Sequence, residues 1–212
     1  DGLDGAYSVT ISPDGQHVYV AAGSDSSVAW FTRDATTGAL SHGGVLKDGV
    51  AGVDGLNAAQ SVTMSSDGQH VYVVAWFDNA VAWFTRDTAT GALTYGGDLK
   101  DGVAGVSGLQ WPFSVTISPD DQHVYVAAYN GDSVAWFTRD TTTGALAFGD
   151  LLKPGENVPV TFYGLWGAQS VTISPDGQHV YVAAQDGDSV AWFTRDPVTG
   201  ALSYAHTGSS YV

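Results

Sequence analysis

The sequence predicts an all-β fold: a four-bladed β-propeller with four antiparallel strands per blade. Three observations lead there. The chain repeats itself four times, with copies beginning at Ser8, Ser61, Ser114 and Ser170 in steps of 53, 53 and 56 residues. Periods of this order mark architectures that stack one supersecondary unit per copy. Each copy holds four short runs rich in β-branched and aromatic residues, the content of a propeller blade. No segment carries an apolar stripe at the helical period, so almost no helix is expected. The 212 residues read as one domain, with blades at about 1–53, 54–106, 107–162 and 163–212.

The first copy shows how each element is argued. Residues 8–12 alternate polar and apolar, with Val9 and Ile11 on one side. Pro13-Asp14-Gly15 is a turn: proline presets φ and glycine takes the positive φ. Residues 17–22, rich in Val and Tyr, form the second strand. Residues 28–33 form the third. Thr37-Gly38 turns the chain into the fourth strand, 39–47.

The motif S-P-D-G-x-x-V-Y-V-A at 12–21, followed by V-A-x-F-x-R-D-x-x-T-G-A-L at 28–40, resembles the YVTN/lactonase-like β-propeller repeats. Its first half recurs at 65–74, 118–127 and 174–183, so the resemblance covers nearly the whole chain. It implies the blade fold. It also implies a lactonase-like hydrolase as one reading of function, although propellers host many activities. The known members usually have seven blades, and this chain has four.

Four blades around one axis stand about 90° apart, leaving wide wedges that large side chains must fill. The third-strand pairs Trp30-Phe31, Trp83-Phe84, Trp136-Phe137 and Trp192-Phe193 are read as those fillers in a closed ring. The competing readings are a half ring that pairs with a second chain, a homodimer of eight blades, and a fragment of a longer propeller.

Composition excludes several functions. There are 22 acids against 7 bases, a net charge of −15, so the clustered cations that nucleic acid or anionic membranes require are missing. No apolar run approaches membrane-spanning length, and no membrane insertion is expected. The chain has no cysteine, which removes disulfides and thiolate chemistry. An acidic, cysteine-free chain fits a secreted or extracellular protein.

The four copies act as an internal alignment. In a propeller, the loops joining strands one to two and three to four share one face, and these are nearly identical in every copy: P-D-G-Q-H and R-D-x-x-T-G-A-L. The opposite face carries the divergent residues. After the second strands come Gly23-Ser24, Trp76-Phe77, Tyr129-Asn130 and Gln185-Asp186. Before the inner strands come Asp4 to Tyr7, Asn57 to Gln60, Gln110 to Phe113, and Trp166 to Gln169, with Val160 to Tyr163 added in the longest linker. Binding residues tend to sit on loops carried by a rigid scaffold. Trp76, Phe77, Trp111, Phe113, Tyr129 and Trp166 are therefore expected to line a shallow pocket. Asn130, Asp132, Gln185 and Asp186 would orient a ligand by hydrogen bonds. Aromatic platforms beside amides and carboxylates suit an uncharged polar ligand with apolar faces, which points to non-catalytic, lectin-like binding of carbohydrate or another small polar ligand. A protein-interaction or surface-layer module is a further alternative.

Other constellations are structural by this reading. Arg33, Arg86, Arg139 and Arg195 are expected to meet acids on adjacent strands or blades. His17, His70, His123 and His179 are spread around the ring, where they anchor turns rather than gather around a metal. A site repeated in each blade would use the third-strand Trp or the Arg-Asp pair. No H-E-x-x-H, G-x-S-x-G or P-loop pattern occurs, and the divergent face offers acids and aromatics without His or Arg, which weighs against an enzyme. No cofactor is implied. Two ions are to be considered: calcium, because Asp-Gly pairs crowd the linkers at Asp1-Gly2, Asp4-Gly5, Asp48-Gly49, Asp54-Gly55 and Asp101-Gly102, and an ion on the central axis held by inner-strand carbonyls.

Overall fold

The computed structural model describes residues 2–159 and 162–204. Four four-stranded sheets follow one another along the chain. The first holds β1 (Ala6–Ile11), β2 (His17–Ala22), β3 (Ser27–Arg33) and β4 (Leu40–Lys47). The second holds β5 (Ala59–Met64), β6 (His70–Ala75), β7 (Ala80–Arg86) and β8 (Leu93–Lys100). The third holds β9 (Pro112–Ile117), β10 (His123–Ala128), β11 (Ser133–Arg139) and β12 (Leu146–Leu152). The fourth holds β13 (Ala168–Ile173), β14 (His179–Ala184), β15 (Ser189–Arg195) and β16 (Leu202–Ser203). Within each sheet every strand pairs antiparallel with its chain neighbour. These are the four blades read from the repeat. Among the described residues, helix is limited to one 3-10 turn, Tyr163–Leu165.

The turns form for local reasons. The Asp14 carboxylate accepts from the Gln16 N–H at 2.9 Å, and the Ser12 hydroxyl accepts from the His17 N–H at 2.9 Å. Gly15 completes this turn at φ +70°. At the other end of the blade, Asp34 Oδ1 accepts from the N–H groups of Thr36 and Thr37, both at 2.8 Å. This is side-chain mimicry of a backbone turn.

Trp30, Trp83 and Trp136 each lie flat on glycine of their own outer strand. The β3–β4 register shifts between Trp30 and Phe31. A Cβ at Gly43 or Gly44 would stand only 2.5 or 2.3 Å from the Trp30 ring. Trp83 covers Gly96 and Gly97 in the same way, and Trp136 covers Gly149. The outer face of each of these three Trp rings then meets the next blade. Tyr19, Ala21, Val28 and Trp30 of the first blade share a core with Val71, Val73, Ala82 and Phe84 of the second. The same partition recurs between second and third blades, and between third and fourth.

A polar clamp closes each of these junctions on the invariant face. Arg86 donates to the Tyr19 hydroxyl at 2.8 Å, to Asp14 at 2.7 Å and to His17 Nδ1 at 2.8 Å. Tyr19 in turn donates to the Gly91 carbonyl at 2.9 Å. Arg139 meets Tyr72 and His70 likewise, with Asp67 at 3.6 Å. Arg195 meets Tyr125, His123 and Asp120. Arg86, Arg139 and Arg195 thus meet acids on the adjacent blade, one of the two placements read from the sequence. The histidines accept from those arginines, a role the sequence did not suggest. Burial, then the arginine charge, lowers the pKa of each of the three.

Among the described residues the first and last blades do not meet, which corrects the closed four-membered reading. Inner strands pack in succession, β1 on β5, β5 on β9 and β9 on β13. At the ends the faces are bare. Val9 is 67% exposed and Ile11 50%, whereas their counterparts Val62 and Met64 are 5% and 8% exposed. Tyr181 is 39% exposed, whereas Tyr19, Tyr72 and Tyr125 are fully buried. The Trp rings lie along their own sheets instead of standing in the gap. Neighbouring blades therefore pack closely through continuous shared cores. The product is an open arc.

Candidate ligand-binding face

Register places the divergent loops on one rim. Ala6 pairs with Ala22, Ala59 with Ala75, Pro112 with Ala128 and Ala168 with Ala184. The linker entering each inner strand therefore runs beside the loop leaving the second strand. A backbone bond ties the two together in every blade: Gly23 N–H to Gly5, Trp76 to Ala58, Tyr129 to Trp111 and Gln185 to Gly167. The acceptor residue has positive φ in each copy: +65° at Gly5, +60° at Ala58, +53° at Trp111 and +65° at Gly167. Two copies use glycine here. A tryptophan in this left-handed conformation costs about 1 kcal/mol or more, and such strain concentrates at functional sites.

The strained Trp111 belongs to a continuous aromatic slab. Trp76 stacks on Phe77 with ring centroids 4.6 Å apart, and meets Trp111 edge-on at 5.3 Å and Phe113 at 5.9 Å. Phe113 continues to Tyr129 at 5.6 Å. The Tyr129 hydroxyl donates to Asp186 at 2.9 Å across the third junction, and this bond raises the tyrosine pKa. Asp132 accepts from the Gly167 N–H at 2.8 Å, so it braces the rim. Phe77, Trp111 and Trp166 are exposed. Trp166 does not join the slab but meets Tyr163 at 4.6 Å. Asn130, Gln185 and Asp186 are exposed at the edge.

The structure adds residues that were not singled out. A shallow pocket of about 130 Å³ is lined by Tyr7, Gly23, Ser24, Ala58, Trp76 and Phe77. Asn79 braces Trp111 by accepting from its N–H at 2.9 Å. Divergence between the copies marks Tyr7 and Ser24 too; only their nearness to Trp76 was hidden. Val160 and Thr161 lie outside the described residues.

The rim is acidic, and its cations are occupied. Lys47 pairs with Asp25 at 2.8 Å and Lys100 with Asp54 at 2.7 Å. Lys47, with two backbone N–H groups, lowers the Asp25 carboxyl to about 2. Carboxylates of Asp48, Asp54 and Asp78 converge within 4.8 Å of one another. Each is already engaged with a backbone N–H, at Leu56, Gly55 and Asn57 respectively. Burial raises the Asp78 pKa. A site repeated in each blade is overturned: Trp30, Trp83 and Trp136 are buried under their neighbours, and Arg86, Arg139 and Arg195 are sealed in the clamps.

The chain matches the family described as Lactonase, 7-bladed beta-propeller, over residues 4–162 and again over 63–210. It belongs to that family. The two overlapping matches reflect the interchangeable blades of this lactonase-family chain. Among solved structures it is similar to a 6-phosphogluconolactonase candidate from Bacteroides uniformis, with TM-score 0.79, 18% identity, and coverage of 98% of this chain and 54% of that one. A second such candidate, from Bacteroides fragilis, gives TM-score 0.78 and 21% identity over 98% and 54%. The periplasmic gluconolactonase of Pseudomonas aeruginosa gives 0.71 and 20% over 94% and 52%. The lactonase-family chain therefore spans about half the length of these structures. No curated protein sequence matches it.

Proposed function

We propose that the chain forms the ligand-binding side of a propeller that hydrolyses an uncharged, sugar-derived lactone. Family membership supports the reaction class. The Tyr129–Asp186 pair at the edge of the aromatic slab supports its place. The slab of Trp76, Trp111 and Phe113 would stack on the apolar face of a sugar ring. Asp186 would take a proton from water as that water adds to the lactone carbonyl. The ring C–O bond then breaks, the ring oxygen takes the proton, and a hydroxy acid leaves. Tyr129 holds the carboxylate in place. Lys47, Lys100 and Lys153 are all paired with acids, so among the described residues the rim has no free lysine for a phosphate. That favours a neutral lactone over a phosphorylated one.

The test is base consumption at fixed pH with glucono-1,5-lactone and its 6-phosphate, corrected for spontaneous opening. The expected result is turnover of the neutral lactone, lowered about 100-fold by Asp186→Asn. No turnover of either lactone would overturn the reading. Binding without turnover would instead support the lectin-like alternative, which the cation-free aromatic slab favours.

A further inference from the structure

The two ends of the arc are complementary halves of one junction, and we propose that a second copy of this chain supplies the missing half of each, closing an eight-bladed ring. This goes beyond the lactonase reading and does not rest on it. The last blade presents Tyr181, Ala183, Val190 and Trp192, the same four residue types as Tyr125, Ala127, Val134 and Trp136, which are buried against the fourth blade. The first blade has Val18, Val20, Ala29 and Phe31 at the positions of Val180, Val182, Ala191 and Phe193, the other side of that junction; of these Val20 and Phe31 are partly exposed, and Val9 and Ile11 beside them are open to solvent. Each end therefore carries a face for which the chain has already built the partner.

The polar clamp is split in the same way. Arg33 donates to the Gly15 carbonyl at 3.1 Å, the counterpart of the Arg86 bond to Gly68 within its own blade. Among the described residues it has no counterpart of the cross-blade bonds that Arg86, Arg139 and Arg195 make to Tyr, His and Asp. Those partners stand on the last blade as Tyr181, His179 and Asp176, with Tyr181 exposed. Gly91, Gly144 and Gly200 each press on a His ring, at 2.2 Å for an added Cβ, while Gly38 has nothing within 4 Å. Gly38 is the seat that His179 of a second copy would take. The main chain repeats the pattern: Ser8, Ser61 and Ser114 accept from the N–H of Val62, Val115 and Val171 on the next inner strand. Ser170 is left to accept from Val9 of a second copy.

Closure fits the arithmetic of a turn. Seven blades divide a circle into steps of about 51° and eight into about 45°, so two four-blade arcs close when each junction narrows by about 6°. Two copies use each free face once, and the pairing ends there.

The experiment is particle mass by sedimentation equilibrium for the wild-type 212-residue chain and for two charge reversals, Arg33→Asp and Asp176→Arg, each checked for fold by thermal melting. The wild type should weigh two copies of the 22.0 kDa chain and no more. Either reversal alone places like charges at both junctions and should weaken association at least 100-fold, roughly. Mixing the two variants makes one junction with its two charges exchanged and one native junction. The mixture should regain pairing to within about 10-fold of wild type. A single-copy mass up to about 100 µM, a ladder of ever larger particles, or a mixture that stays unpaired would each overturn the proposal.

Discussion

Arg86 reaches the hydroxyl of Tyr19 at 2.8 Å although 67 residues separate them in the chain. The contact ties two sheets together at a buried position and leaves no nitrogen of the guanidinium idle. Nη1 goes to Gly68, and Nη2 to Asp14 and His17. Breaking such a group strands its partners in a dry place. Arg86→Ala is expected to destabilise the fold by about 3 kcal/mol, because an uncompensated buried cluster costs more than the pair itself contributes. Arg86→Lys should recover only part of this, since an ammonium cannot span all four partners as the planar fork does. Urea denaturation of the three proteins measures both.

The clamps also set a pH response. Burial, followed by the nearby arginine, holds His17, His70 and His123 below the ordinary 6.5. The folded state thus resists protonation that the unfolded chain accepts. The stability from the neutral rings is complete above pH 6.5. It declines as the unfolded chain takes up protons below that value, and it is lost once pH falls through the depressed folded values. Burial pushes the Asp14 carboxyl up, but bonds from Ser12, Arg86 and the Gln16 N–H outweigh it and hold it below its usual range. Its contribution disappears only in stronger acid. Thermal midpoints between pH 8 and 4 should therefore begin to fall near 6.5, ahead of the carboxylates. Midpoints flat down to about pH 5 would contradict this.

Gly91 makes a local test of the junction. It has φ +75°, and a Cβ there would stand 2.2 Å from the His17 ring. Gly102 has the same φ and open space around it. Gly102→Ala should cost about 1 kcal/mol from backbone strain alone. Gly91→Ala should cost at least about 2 kcal/mol more, because the ring and the backbone must both move. Paired melting curves separate the two terms.

The aromatic slab predicts separable effects on binding and stability. Phe77 and Trp111 are exposed and Trp76 is half-buried on the rim. Trp76→Ala and Trp111→Ala are expected to change stability by no more than about 1.5 kcal/mol. Each should weaken lactone or sugar binding about 10-fold, through loss of a stacking surface. Equilibrium dialysis beside thermal melting checks both. Trp111→Gly should even gain stability, since it relieves the left-handed strain at φ +53°.

Much of this architecture was legible in the residues. The strands at 17–22 and 27–33 follow from Val, Tyr and Trp bounded by Pro-Asp-Gly and Thr-Gly turns. Alternation forbids Arg33 and Asp34 from facing each other, so acids on another strand or blade were legible as the arginine partners. Three features were not legible. Identical copies say how one blade meets the next, but not how many complete a turn, so the open ends were hidden. The use of Gly43 and Gly44 as a bed for Trp30 depends on a register shift between strands. Divergence marked Tyr129 and Asp186 as rim residues, yet their bond joins positions 57 residues apart and arises only from the packing of the third blade on the fourth.

Every clamp described above binds one blade to its nearest neighbour and to nothing further. The molecule is therefore coupled like a one-dimensional lattice, in which adding or deleting a whole unit leaves all remaining bonds intact. The divergent rim lies at the other end of each strand from the clamps. Lengthening the array by duplication, and altering the rim by point substitution, are thus independent operations. A lineage built on this unit can vary blade number and ligand without trading one against the other.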